Sequence, residues 1–247
     1  MTGTRHRLDQ LLVERGLAES RSRARALIEA GLVRTDRRPA DKPSQAVGAD
    51  TVLEVIGRDH PWVSRGGIKL AAALDHFAID PNGLVALDIG ASTGGFTDVL
   101  LTRGAARVYA GAVGHGQLDE KLRGDRRVIV LEHTNARHLS SVQVPEPVGL
   151  VTCDASFIGL ETILPAPLTL AAAGAYLVAL IKPQFEAGPG GVGKGGIVRA
   201  ALHREICARI AGFLNDLAGW RVLDRIDSPV AGGDGNREFL IAARFTP

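Results

Sequence analysis

The feature that most constrains this fold is a series of short apolar segments that recurs from about Trp62 onward. Val85–Ile89, Val108–Ala110, Val128–Leu131, Gly149–Cys153 and Ala175–Ile181 are apolar almost throughout, with no regular alternation of polar residues. Strands buried on both faces belong to a parallel sheet sandwiched between helices. The intervening stretches are helical in character, so the expected class is α/β with a Rossmann-like sheet. Arg221–Arg225 and Glu238–Phe245, around GGDGN, read as a closing antiparallel pair. The longest apolar run, AAAGAYLVALI at 171–181, is too short to cross a bilayer, and MTGTRHRLDQ has no apolar core of a secretory signal. A soluble, cytoplasmic protein is expected. Two cysteines, Cys153 and Cys207, are too few for a metal cluster or a disulfide framework, so no metal is expected.

The first residues differ in character. RLDQLLVERG places Leu8, Leu11 and Leu12 at helical spacing with Gly16 to close the helix. Ser20 reads as the N-cap of SRSRARALIEAG, which buries Ala24, Leu27 and Ile28 and stops at Gly31. Leu32–Val33 and Thr51–Val55 read as short strands. The expected division is a small α/β domain over 1–58, a linker over 59–63 stiffened by Pro61 and Trp62, and a second domain over 64–247. Net charge is only +2. Yet Arg5, Arg7, Arg21, Arg23, Arg25, Arg34, Arg37 and Arg38 crowd the first domain. A solvated helix face balanced by Glu14, Glu19 and Glu29 is one reading, and a phosphate-contacting surface is the other. The succession R-L-D-Q-L-L, S-R-S-R-A-R-A-L-I-E-A-G and a hairpin resembles the small RNA-binding domain first known from a small-subunit ribosomal protein and shared by pseudouridine synthases. That resemblance implies recognition of structured RNA through shape and backbone, with Arg5, Arg7, Arg21, Arg25 and Arg34 as candidate contacts.

In ALDIGASTGGFTDVLL the first apolar strand ends in an acid, Asp88, followed by the turn Gly90–Ala91–Ser92 and the pair Gly94–Gly95 opening a helix. Such a turn makes a nucleotide crevice at the carboxyl end of a strand. The spacing D-x-G-x-x-x-G-G is not the dinucleotide fingerprint; it resembles that of S-adenosylmethionine-dependent methyltransferases. Four further polar residues stand near strand ends or the start of this domain: Lys69 after SRGG, Asp154 ending GLVTCD, Lys182 ending LVALIK, and Glu238 after GNR. A ribose hydroxyl must lose its proton as it attacks an activated methyl group. A lysine can take that proton when burial or a neighbouring cation favours its neutral form, with carboxylates to orient it. Pro183 fixes the chain as it leaves Lys182.

VSRGGIKL, LDIGASTGGFTD, HGQL, HTNARHL, DASFI, IKPQFEAG, VGKGGIVR and GNREFL together resemble the TlyA-type rRNA 2′-O-methyltransferases, which join an RNA-binding N-domain to an FtsJ-like catalytic domain. The resemblance implies a class I methyltransferase sheet and a catalytic tetrad at Lys69, Asp154, Lys182 and Glu238. It also implies S-adenosyl-L-methionine contacts at Asp88, Gly90, Ala91, Ser92, Gly94, Phe96, Asn135 and Asp154. The implied partner is rRNA in ribosomal subunits, at a cytidine ribose, rather than DNA or a membrane; a haemolytic activity is also associated with the family name. GPGGVGKGG at 188–196 approaches a phosphate-binding loop but has Gly195 where a hydroxyl residue is required, and it follows a late strand. It reads instead as a glycine-rich flap over the substrate, with Lys194 and Arg199 near RNA phosphates. One departure stands out. Where the family carries an acid for the cofactor ribose after the second strand, this chain has Ala112, which leaves an RNA-binding protein with weakened or lost methyltransferase activity as one alternative. A membrane-active haemolysin is the other, disfavoured because no segment spans or lies on a bilayer.

Overall fold

The computed structural model describes residues 5–18, 20–57, 60–188, 190–232 and 235–247. The chain folds into two units, Met1–Pro61 and Trp62–Pro247. In the first, β1 (Arg5–Arg7) runs into α1 (Leu8–Glu14), followed by α2 (Arg21–Glu29), β2 (Val33–Thr35), β3 (Arg38–Pro39), β4 (Ala46–Gly48) and β5 (Leu53–Val55). Leu8, Leu11 and Leu12 of α1 pack with Ala24, Leu27 and Ile28 of α2, over Val33 and Val47. Ser20 caps α2, its Oγ accepting from the Arg23 N–H at 3.2 Å. The helix ends where Gly31, at φ 70°, lets its own N–H reach the Ile28 carbonyl and that of Leu32 reach Leu27, both at 2.9 Å. β1 pairs with β4, and β3-β2-β5 form a second antiparallel sheet. β1, β3 and β4 escape sequence reading because two or three residues are too few to display a period of two.

The second unit comprises α3 (Gly66–His76), β6 (Val85–Ile89), α4 (Gly95–Thr102), β7 (Arg107–Gly111), α5 (Glu120–Arg123), β8 (Val128–Leu131), β9 (Val148–Cys153), α6 (Leu160–Ile163), α7 (Pro165–Leu168), β10 (Ala171–Ile181), α8 (Pro183–Glu186), α9 (Ala200–Asp216), β11 (Trp220–Asp227) and β12 (Phe239–Phe245). The strands form one sheet in the order β11-β12-β10-β9-β6-β7-β8. β10 to β8 in that order run parallel, and β12 is antiparallel to both of its neighbours. Successive strand residues face opposite cores. Ala86, Leu150, Val178 and Leu180 meet Leu70, Val99 and Leu100 on one side. Leu87, Val151, Leu177 and Ile181 meet Ile206, Ile210 and Leu214 of α9 on the other. Burial on both faces is why the strands read as continuous apolar runs.

The sheet begins in its middle. From β6 the chain moves outward to β7 and β8, then returns to β9 on the other side of β6. The connections leaving β6 and β9 therefore diverge, and a crevice opens at their carboxyl ends.

Candidate catalytic and cofactor-binding site

A cavity of about 500 Å³ occupies that crevice. Gly90 and Ser92 line it from the exit of β6, Ala112–Gly114 from β7, Thr134–Arg137 from β8 and Asp154–Phe157 from β9. Apolar side chains (Ile89, Val113, Leu139, Ile158, Ile163) make much of its wall. A smaller pocket adjoins it, sharing Gly90, Ser92, Asp154 and Ser156 and adding Ala91, Phe96 and Lys182. Gly90, Ser92, Asn135 and Asp154, read from sequence as cofactor contacts, thus share the larger cavity, while Ala91 and Phe96 line the smaller one.

The glycines of the turn serve packing as much as ligand access. At Gly90, φ is 82° and a Cβ would come within 2.9 Å of the Asp154 carbonyl oxygen. Two strand exits can lie this close only without a side chain between them. A Cβ at Gly94 would sit 2.2 Å from Leu122 Cδ1, and one at Gly95 2.2 Å from Ser64 Oγ. Gly94 accordingly seats the start of α4 and does not line the larger cavity.

Asp88 corrects another expectation. It is fully buried, and its two oxygens accept from Thr97 Oγ1 at 2.7 Å and Thr152 Oγ1 at 2.9 Å. Burial pushes its carboxyl up to about 6, against the opposing pull of those hydroxyls. Enclosed in this way, Asp88 ties β6 to α4 and β9 rather than touching a ligand.

Asp154, Lys182 and Glu238 reach one edge of the sheet by register. Ile89 pairs with Cys153, Cys153 with Ala179, and Ile181 with Phe239. Asp154 and Lys182 follow their strands, and Glu238 immediately precedes the antiparallel β12, so all three stand at the same edge. Lys182 Nζ lies 2.6 Å from Asp154 Oδ1 and donates to Ser156 Oγ at 2.9 Å and to the Asp154 carbonyl at 3.3 Å. Lys69, on the first turns of α3, donates to Glu238 Oε2 at 2.6 Å. The four predicted residues thus form two ion pairs. Both lysine side chains are 10% exposed.

Sequence reasoning missed three supports. Ser156 was legible only as part of DASFI. Glu186, raised by burial, accepts from the Leu160 N–H at 2.8 Å and pins the segment carrying Ser156. Asn236 is 1% exposed, accepts from the Val198 N–H at 3.0 Å and donates to the Gly196 carbonyl at 2.9 Å. The end of the 188–196 loop is thereby fastened to the segment that carries Glu238. Arg199 is exposed at the start of α9; the Lys194 side chain lies outside the described residues. In the first unit Arg5, Arg21, Arg25 and Arg34 are exposed and Arg7 half-buried.

Residues 62–245 match the FtsJ-like methyltransferase model, and residues 6–53 match the S4 domain. The 16S/23S rRNA (cytidine-2'-O)-methyltransferase TlyA of Mycobacterium tuberculosis is 49% identical over 242 residues, covering 97% of this chain and 90% of that one. This chain belongs to the TlyA family of FtsJ-like methyltransferases. A solved structure described as a candidate hemolysin from Streptococcus thermophilus is 40% identical to this TlyA-family chain, with a TM-score of 0.78 over 98% of this chain and 89% of that one. The N-methyltransferase NodS from Bradyrhizobium japonicum, solved with S-adenosyl-L-homocysteine, shares the fold at 15% identity, with a TM-score of 0.53 over 76% of this chain and 90% of that one. Among the described residues of the TlyA-family chain, no helix is long and apolar enough to cross a membrane.

Proposed function

We propose that this TlyA-family protein transfers a methyl group from S-adenosyl-L-methionine to a ribose 2′-hydroxyl, at a cytidine, of rRNA within ribosomal subunits. The observation that carries this reading is Lys182, held against Asp154 and Ser156 where the two pockets meet. The residues present fit the cofactor. The apolar wall suits a purine, Ser92, Asn135 and Thr134 offer polar groups to a nucleoside, and Asp154 brings a carboxylate that would suit a cationic sulfonium. When bound, the cofactor supplies an electrophilic methyl group on a cationic sulfur.

The remaining chemistry belongs to the chain. Once Lys182 has released the proton it carries in the ion pair, its neutral amine takes the 2′-hydroxyl proton as the oxygen attacks. Asp154 and Ser156 fix its Nζ in direction, and the Asp154 carboxylate balances the charge that Lys182 gains. The Lys69–Glu238 pair holds the target ribose beside them, Lys69 donating to sugar oxygens and Glu238 keeping Lys69 in place. The S4 unit brings the RNA.

Purified 30S and 50S subunits, incubated with the protein and a methyl-labelled cofactor and then mapped for 2′-O-methylation, test the proposal. Label at a single cytidine ribose in either subunit is expected; no ribose label in either rejects the reading. Ala112 favours a second reading, RNA binding with weakened turnover, since it lines the cavity without a carboxylate.

A further inference from the structure

We infer that Asp9 is the positioning residue of the RNA-facing surface: a buried anion that holds three guanidiniums in one array, ready to meet a phosphate backbone. The inference rests on the RNA-binding reading of the first unit. Arg7 grips Asp9 with a fork, Nε to Oδ1 and Nη2 to Oδ2, each at 3.0 Å. Arg21 Nη2 donates to Oδ2 at 3.2 Å, and Arg25 Nε stands 3.5 Å from the same oxygen. The carboxylate is 0% exposed, whereas the three arginine side chains are 40%, 51% and 54% exposed. Each guanidinium turns one edge inward and leaves its other donors toward water.

The cluster draws on three elements. Arg7 ends β1, Asp9 lies in the first turn of α1, and Arg21 and Arg25 stand one turn apart on α2. Three cations around one anion leave a local charge of +2, so the surface stays attractive to phosphate. A free arginine samples many rotamers, and binding must freeze it; an arginine already tethered at one edge has lost much of that freedom beforehand. The Arg7 hydrogen bonds hold the Asp9 carboxyl at about 2, so the anchor is ionised at any pH where RNA is intact.

The rival explanation is that Asp9 only dilutes positive charge. The two explanations predict opposite signs. Removing an anion from a phosphate-binding surface should tighten binding by charge alone, whereas removing the anchor should weaken it.

The test measures binding of the full chain to purified 30S and 50S subunits across a salt series, comparing wild type, Asp9→Asn and Glu29→Gln. Glu29 is an exposed acid on the same helix as Arg21 and Arg25, and its loss should leave affinity equal or slightly higher. Asp9→Asn should bind about tenfold more weakly or worse, with a shallower salt slope, because fewer arginines engage phosphates together. Binding by a folded Asp9→Asn protein as tight as wild type overturns the inference. Should circular dichroism show that Asp9→Asn loses the fold of this unit, nitrogen-15 spectra of the wild type decide instead. Arg7 and Arg25 Nε–H signals protected from exchange support the tether, and signals that exchange as fast as those of a free arginine exclude it. Wild type that binds neither subunit removes the RNA reading itself; wild type that binds, beside a variant that binds equally well, removes only the role of Asp9.

Discussion

Asp9 and Asp88 are both closed off from water, yet the first carboxyl is held at about 2 and the second is pushed up to about 6. The difference lies in their partners. Asp9 is surrounded by guanidiniums that favour its charge, while Asp88 has two threonine hydroxyls, which stabilise an anion too weakly to offset burial. The basic residues divide in the same way between the units. In the first, arginines about half exposed gather around a sunken acid. In the second, two lysines are themselves sunk, each against one carboxylate. Cations left in water suit binding to phosphates, whereas withdrawal from water makes a lysine readier to give up its charge and so suits proton transfer at a fixed point.

The largest effect expected from this contrast is at Lys182. Lys182→Ala should lower methyl transfer by roughly a hundred- to ten-thousand-fold, the usual contribution of a general base. Subunit binding should change little, because the arginine cluster around Asp9 is in the other unit. Single-turnover methylation together with a binding isotherm checks both halves, and turnover within a few-fold of wild type would remove Lys182 from the role of base.

The converse variant reverses Arg7, Arg21 and Arg25 together. Loss of three phosphate contacts should weaken subunit binding by about a hundredfold and reduce the salt slope by about 2 to 3. Affinity for the cofactor alone should not move. An unchanged salt slope would mean that the arginine surface is merely solvated and that the contrast between the units has no functional content.

How far the sequence alone could reveal this arrangement depended on periodicity. The long strands β6 to β10 were legible because both faces are buried, and α1 and α2 because their leucines fall at helical spacing beside glycines able to end them. The two- and three-residue strands of the first unit carry no period and were missed. The polar residues were legible by position, as side chains just beyond strand ends, but their partners were not. Nothing in the spacing of Lys69 and Glu238, 169 residues apart, says that they touch. Nor does anything in VALDI say that Asp88 points into the protein rather than into the cavity. A carboxylate in a strand that ends at a glycine turn looks the same in both cases, and only the two threonine hydroxyls decide it.

Asp88 also provides a smaller, thermodynamic test. Its carboxyl is raised from the ordinary 3.8 to about 6 in the folded protein, so the folded state holds a proton that the unfolded chain has released. Its contribution to stability is fully present below about 4 and is lost as pH rises through about 6, by at most on the order of 3 kcal/mol. Asp9 has the opposite sign. Its contribution is present above about 4 and lost only as pH falls toward 2, so between pH 4 and 7 it stays constant. Asp88→Asn keeps a neutral hydrogen-bonding group in place and should flatten the stability profile over that interval. Denaturant midpoints for wild type and variant at pH 4.5 and 7 provide the comparison; parallel profiles would show that Asp88 does not titrate in this range.

The smallest effect expected is at Ala112. Its backbone is fixed on both sides, the N–H donating to the Leu131 carbonyl at 3.1 Å and the carbonyl accepting from the Thr134 N–H at 3.3 Å. A side chain there lines the cavity without disturbing its rim. A carboxylate at this position could accept from the hydroxyls of an adenosine ribose. Charge-assisted bonds of that kind contribute about 1.5–3 kcal/mol when sheltered, and less in a cavity open to water. Ala112→Asp should therefore tighten binding of S-adenosyl-L-methionine by about tenfold while leaving RNA affinity unchanged, since the added charge is in the unit that holds the lysines. Titration calorimetry on both proteins without RNA measures the difference. If the aspartate adds nothing and the wild type already binds tightly, another group on the wall, with Asn135 and Gln117 both in position, carries the ribose contact. The reading of weakened turnover would then lose the one observation that favours it.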